Sequence, residues 1–347
     1  MRILLSSAMP PPAGGIAFWT KQYLEYMKTR DITVDLLNIG VTGKRAKNYT
    51  KKNILEEVVR LFKILFRAVL FSVKGKYDFA HVNTSCSKSG ILRDKIIVDI
   101  LHFFKIRVVL QCHCNVDYAL KNKKSYKIFE KMLKKTKKCL VLNRNSQNFI
   151  KENYGVETLV VPNFISEEYK VAVEEKKQIS EEVKTALFVG HILNTKGCDI
   201  IIKAAEDYPD IEFRLVGHIS PEYQNIDLPQ NVILTNEKTA GEVREEYKNA
   251  DVLLFPTHTE GFPLTVIEAM AYGLPIITTE VGAIPDILEE QGAIYIPVNS
   301  LKSLVEAISK IKNKTIREKM SSFNQNKVKN YIIDEVLEQL INDIYAK

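Results

Sequence analysis

Residues 251–287 read Asp-Val-Leu-Leu-Phe-Pro-Thr-His-Thr-Glu-Gly-Phe-Pro-Leu-Thr-Val-Ile-Glu-Ala-Met-Ala-Tyr-Gly-Leu-Pro-Ile-Ile-Thr-Thr-Glu-Val-Gly-Ala-Ile-Pro-Asp-Ile. The apolar run ending at Pro256 predicts a buried strand, the spacing from Pro263 to Tyr272 a helix, and Ile276 to Thr279 the next strand. Strand, helix and strand in that order make a βαβ unit and hence a parallel sheet. Pro263 is read as the first helical residue, which leaves the amides of Leu264 and Thr265 open at the helix start. An open helix N-terminus seats a phosphate, and Gly261 lets backbone approach closely. Glu260 lies just before the helix and Glu268 about one and a half turns into it, leaning back toward its start. Two carboxylates touching a phosphate would repel it, so their better role is to accept hydrogen bonds from hydroxyls on either side. A sugar and a ribose joined by a diphosphate offer that pattern. Two Glu eight apart also arise by chance in a chain this rich in Glu; the surrounding strand, loop and helix give the pair its weight.

Outward from this stretch the same alternation covers the chain. Strands are predicted at Arg2 to Ser7, Thr33 to Ile39, Phe79 to Thr84, Arg107 to Cys114 and Cys139 to Asn143. Helices are predicted between them at Ile16 to Arg30, Asn53 to Val73, Ile91 to Phe104 and Lys121 to Lys137. Residues 166–183 turn polar with no clean period, and the alternation restarts at Ala186. The expectation is an α/β chain of two doubly wound, Rossmann-like domains facing across a cleft. The first spans residues 1–165 and the second 184–330, with a linker at 166–183 and a C-terminal helix in 331–347 that can return to the first domain.

At 347 residues, 46% hydrophobic and 26% charged, the chain has the core-forming content that disordered and collagen-like sequences lack. The apolar start Ile3-Leu4-Leu5 is cut by Ser6, Ser7 and Pro10-Pro11-Pro12, too short for a signal peptide core. Five Cys, an odd number without framework spacing, fit reduced thiols and a cytoplasmic location. Residues 1–165 carry 30 Lys and Arg against 12 Asp and Glu, or +18, and the remainder −11. A basic half calls for an anionic partner: a membrane surface, a phosphorylated lipid or a nucleic acid. Nucleic acid leaves the second half unexplained, so no nucleic-acid partner is expected.

The segment from Glu260-Gly261-Phe262-Pro263-Leu264 through Glu268-Ala269-Met270-Ala271 to Gly273-Leu274-Pro275 and Gly282-Ala283-Ile284-Pro285-Asp286 closely resembles the donor-binding domain of the retaining glycosyltransferases of family 4 (glycosyl transferases group 1). These have the GT-B fold and a Glu-x7-Glu motif. Weaker matches are Gly14-Gly15, Val161-Pro162-Asn163, Gly190, Lys196-Gly197 and Gly217. The resemblance implies a retaining, metal-independent transferase that moves a sugar from a nucleoside diphosphate-sugar, UDP favoured over GDP, to a hydroxyl. The acceptor would be a glycan or a lipid-linked intermediate of surface polysaccharide synthesis. It implies that Glu268 binds the ribose and Glu260 the transferred sugar, with Gly261, Phe262, Leu264 and Thr265 around the distal phosphate. Lys196 would neutralise the diphosphate, with Gly190, His191 and Gly217 beside it, and Gly14-Gly15 would approach phosphate or acceptor. His191 stands where the family commonly has Arg, and imidazole is a weaker, pH-dependent partner for a diphosphate. No Asp-x-Asp occurs to hold a bridging cation, and neither metal nor cofactor is expected.

By the same resemblance His113 lies close to the reacting sugar; otherwise it is a strand-end His satisfied by a carbonyl. Cys112 and Cys114 flank it on the opposite strand face, which makes inert thiols rather than a metal site. The helix at Asn53 to Val73, with Arg60, Lys63 and Arg67 on one stripe, reads either as packed on the first sheet or as lying on an anionic membrane at its inner face. The Lys-rich stretch 121–138 reads as a solvated basic helix or part of the same surface. A catalytically silent nucleotide-sugar-binding relative and a GT-B phosphorylase are the alternatives. A Rossmann dehydrogenase would need Gly-x-Gly-x-x-Gly after the first strand, which Pro-Pro-Pro-Ala-Gly-Gly does not supply.

Overall fold

The computed structural model describes residues 1–11, 14–41, 54–87 and 90–345. The chain forms two compact units, Met1–Asn163 with Leu337–Lys347, and Phe164–Val336. Unit 1 runs β1 (Arg2–Ser7), α1 (Gly15–Lys28), β2 (Thr33–Asn38), α2 (Ile54–Lys74), β3 (Phe79–Thr84), α3 (Gly90–Phe103), β4 (Val108–Cys112), α4 (Val116–Ala119), α5 (Lys123–Leu133), β5 (Lys138–Val141), α6 (Arg144–Tyr154) and β6 (Leu159–Val160). Its six strands lie parallel in the order β2-β1-β3-β4-β5-β6. Asn53, the expected first residue of α2, is outside the described residues, as is Pro12.

Helices cover both faces of this sheet, so its strands read as apolar runs rather than alternations. Ile3, Leu4 and Leu5 are all fully buried. One face packs Leu4, Val82, Leu110 and Val141 against Ile64 and Ala68 of α2, Ile97 and Leu101 of α3, and Phe129 of α5. Cys112 and Cys139 lie in the same cluster, and all five cysteines are free thiols. On the other face Trp19 and Tyr23 of α1 stack 4.6 Å apart. There the C-terminal Tyr345 places its hydroxyl 2.5 Å from His81 Nδ1 and 3.0 Å from the Tyr23 hydroxyl. Gln111 meets the other ring nitrogen of His81 at 2.9 Å. The caps follow the sequence: Asn122 makes a capping box with Ser125 for α5, and left-handed Gly155 ends α6.

Unit 2 opens with a 3-10 turn at Glu167–Tyr169 and α7 (Lys170–Glu174), so part of the polar stretch 166–183 is helical. Tyr169, Ala172 and Val173 are buried there. It continues β7 (Thr185–Val189), α8 (Cys198–Ala205), β8 (Glu212–Val216), β9 (Val232–Thr235), α9 (Ala240–Asn249), β10 (Val252–Phe255), α10 (Leu264–Ala271), β11 (Ile276–Thr278), α11 (Ile284–Leu288), β12 (Ala293–Tyr295), α12 (Leu301–Ile311) and α13 (Lys314–Lys327), and α14 (Ile333–Leu340) begins in unit 2 and ends in unit 1. The parallel order is β12-β11-β10-β7-β8-β9, the doubly wound arrangement in which strand order reverses between β7 and β10. Among the described residues no helix is long and apolar enough to cross a membrane.

Candidate functional site

In a doubly wound sheet ligands bind beyond the carboxyl ends of the strands that flank the reversal, because the loops there diverge. In unit 2 those strands are β7 and β10, paired through Ala186 with Val252 and Leu187 with Leu253. The loop after β7 tightens into a 3-10 turn at Asn194–Lys196, and the loop after β10 carries Glu260. Lys196 Nζ donates directly to Glu260 Oε1, and both side chains are largely buried. The two loops are also tied through backbone, His258 N donating to Thr195 O at 2.9 Å. Behind Glu260, Gly282 sits at φ 57, and a Cβ there would stand 2.0 Å from the Glu260 carbonyl oxygen. Gly217 is required for the same reason: its Cβ would stand 2.0 Å from Gly190 O, where the loops after β7 and β8 meet.

The first helical residue of α10 is Leu264, and Pro263 is its N-cap, with φ −75 and ψ 114. This corrects the placement of Pro263 inside the helix: its extended ψ turns the chain into the helix while its carbonyl accepts from Val266 N at 3.2 Å. Leu264 and Thr265 are then the first two residues of the helix, with no capping side chain and no acid in the first turn. That end is positive and uncompensated. The Thr265 hydroxyl donates to Val189 O at 3.2 Å, holding the helix start against the end of β7. Phe262 is buried edge-on to Tyr331, with ring centres 5.6 Å apart.

Glu268 makes its contacts apart from the Lys196–Glu260 pair. The Tyr247 hydroxyl donates to its Oε2 at 2.9 Å, and Tyr169 also hydrogen-bonds it. Tyr272 stacks on Tyr247 and meets Tyr169 edge-on, which fixes both phenols. Burial pushes the Glu268 carboxyl above the usual glutamate range, against the pull of Tyr247, Tyr169 and Arg244. His191 has its ring 5.8 Å from that of His218; partial desolvation and then that neighbour lower its pKa, so it is neutral near pH 7. His191 therefore supplies no fixed positive charge to this loop, whose lysine, Lys196, is paired with Glu260.

In unit 1, His113 follows β4 with its amide donating to Thr84 O at 2.8 Å and its ring edge-on to Trp19. Its Nε2 is buried without a hydrogen-bond partner, and burial together with His81 lowers its pKa to about 3. The carbonyl contact thus satisfies the backbone and leaves a ring nitrogen open. Gly14 and Gly15 open α1 and line a cavity of about 360 Å³ with Asn83, Arg60 and Arg93. A Cβ on either glycine would meet nothing within 4 Å, so no neighbour within the protein demands glycine there. Sequence reasoning missed Tyr169 and Tyr247, whose link to Glu268 is long-range, and His258, whose Nε2 is buried without a partner. The only local signal for His258 is its place two residues before Glu260. Among the described residues no group of three or more His, Cys, Asp or Glu could hold a metal ion.

Residues 171–329, which hold Lys196, Glu260, α10 and Glu268, match the family of glycosyl transferases group 1. That match spans just under half of the chain and coincides with most of unit 2. The chain is 23% identical over 301 residues to a putative teichuronic acid biosynthesis glycosyltransferase, TuaC, of Bacillus subtilis, covering 78% of this chain and 77% of that one. Among solved structures it resembles sucrose-phosphate synthase of Thermosynechococcus elongatus, with TM-score 0.77, 16% identity and 99% of both chains covered. The Anabaena protein HepE in complex with UDP-glucose gives TM-score 0.76 at 14% identity over all of both chains. The fold around the matched segment is thus GT-B, two Rossmann-like units.

Proposed function

We propose that the protein transfers a sugar from a nucleoside diphosphate-sugar, UDP-sugar favoured, to a hydroxyl of a glycan or lipid-linked acceptor, with retention at the anomeric carbon. The observation that carries this reading is the contact of Lys196 with Glu260 at the strand-order reversal of unit 2, in the loops beside an uncapped helix start. Lys196 neutralises the diphosphate and stabilises it as it leaves. The amides of Leu264 and Thr265 hold the distal phosphate, and Gly261 and Phe262 shape the approach. Glu260 accepts from hydroxyls of the transferred sugar and Glu268 from the ribose. In unit 1, neutral His113 offers its open Nε2 to a sugar hydroxyl, and Gly14-Gly15 bring backbone toward phosphate or acceptor.

The C1–oxygen bond to the diphosphate breaks as the acceptor oxygen bonds to C1 on the same face, and the acceptor proton passes to the departing phosphate oxygen. Neither a metal nor a cofactor has a step in this scheme, and added EDTA is expected to leave turnover unchanged. HepE, whose structure holds UDP-glucose, supports a uridine donor, and the relation to TuaC supports a polysaccharide acceptor.

The test is a thermal-shift panel of UDP, GDP, ADP and CDP against the wild type and Glu268→Ala. A ligand at a hundred times its Kd stabilises by about 2.7 kcal/mol, a shift of a few degrees. UDP is expected to stabilise the wild type and not the variant. No response to any nucleotide overturns the reading, and an equal response in Glu268→Ala overturns the ribose assignment.

A further inference from the structure

Helix α2 carries a dense group of exposed apolar side chains. Phe62, Phe66 and Val73 are 69%, 64% and 64% exposed, and Val58, Val59 and Leu70 are exposed beside them. At 100° per residue these six fall within one stripe about 120° wide. The buried stripe of the same helix, Ile64, Ala68 and Ser72, lies on the far side and packs on the sheet. Packing against unit 1 therefore accounts for one face of α2 and leaves a second apolar face toward solvent. Leaving large apolar groups together in water is costly, and such a face marks an interaction site.

The neighbouring stripe identifies the occupant. Lys63, Arg67 and Lys74 are exposed and follow the apolar stripe along one edge. A cavity of about 350 Å³ opens at that edge, with Arg67 and Lys74 beside Leu70 and Phe71, bounded by the Arg2–Asp35 ion pair. An apolar face bordered by long cationic side chains fits the boundary between acyl chains and anionic headgroups, where Lys and Arg extend their charge to the phosphates. A second copy of this chain is disfavoured, because a self-complementary interface would set two cationic rows against each other. Residues 1–165 together carry +18, which adds long-range attraction to an anionic surface.

We propose that the exposed face of α2 docks the protein on an anionic phospholipid bilayer, with Phe62 and Phe66 entering the acyl boundary and Lys63, Arg67 and Lys74 at the headgroups. The surface acts independently of the donor reading, and its test contains no nucleotide. The test is co-sedimentation of the full chain with vesicles of phosphatidylcholine alone or with about 30 mol% phosphatidylglycerol. The wild type is expected to bind the anionic vesicles at least about tenfold more tightly than the neutral ones. Phe62→Ser/Phe66→Ser and Lys63→Glu/Arg67→Glu are each expected to lose at least about tenfold on anionic vesicles. All four substitutions are at exposed positions, and an unchanged melting temperature shows that the variants fold. No binding to anionic vesicles, or binding that survives Phe62→Ser/Phe66→Ser, overturns the proposal. So does a concentration-dependent dimer by light scattering that the same variant dissolves, since a second copy would then cover the face.

Discussion

Tyr247 donates to Oε2 of Glu268 and, with Tyr169, holds the carboxylate in one orientation. Removing the hydroxyl in Tyr247→Phe deletes one hydrogen bond, and nucleotide affinity is expected to fall about three- to tenfold, with a stability loss of about 1 kcal/mol. Calorimetric titration with UDP and urea midpoints measure the two effects. The same contact sets a pH dependence. Only an ionised Glu268 accepts from two ribose hydroxyls, and burial raises its pKa, so binding is lost on acidification sooner than for an exposed glutamate. The Tyr247 bond lowers that pKa, so in Tyr247→Phe the loss moves to still higher pH. For folding the sign is opposite. A buried carboxyl with a raised pKa favours the native state most when protonated, below the ordinary glutamate value, and this share is lost as pH rises through the raised value.

At the level of elements, the loop that carries Glu260 is positioned by what stands behind it. Gly282 begins the turn into α11 and lies so close to the Glu260 carbonyl that any side chain must move it. Gly282→Ala also places a Cβ at a φ that L residues rarely adopt, and a cost of about 1–3 kcal/mol is expected. Urea denaturation measures the cost. UDP affinity falls with it if the displaced loop pulls Glu260 from Lys196; unchanged affinity would show that the loop is held by other contacts. The sequence made Glu260 and Glu268 legible because a strand, a glycine loop and a helix start are written in consecutive residues, whereas Lys196, 64 positions earlier, was singled out only through the family resemblance. Tyr169 and Tyr247 were not legible, since they reach Glu268 from 99 and 21 positions away through packing that no local pattern encodes. α6 escaped for a different reason: its residues Arg144–Tyr154 are mostly polar, and only Asn143 and Gly155 mark its ends. Within α10 the apolar spacing was clear, but whether Pro263 is cap or first turn depends on its ψ, which composition does not fix.

Across the whole molecule, unit 1 buries two histidines that unit 2 does not share. Burial lowers His81 to about 4 and His113 to about 3, so both stay neutral while folded and take up protons once unfolded. Their contribution is fully kept above the ordinary histidine value of 6.5 and is lost as pH falls below it toward the folded values. Each histidine costs up to about 1.4 kcal/mol per pH unit in that window. Urea midpoints of unit 1 at successive pH values are expected to drop below pH ~6, and His113→Asn to flatten the drop. A midpoint for unit 1 that is flat with pH would contradict the burial of both rings.

The chain leaves unit 1 after Asn163 and re-enters it at Leu337, bringing Tyr345 to Tyr23 and His81. The first unit is therefore not a single stretch of gene. A crossover that swaps residues 1–163 for a homologue's would inherit a pocket shaped for someone else's tail, whereas unit 2 can be exchanged as one insert. Lineages that diversify by trading halves should then keep each beginning together with its own end, and change the middle.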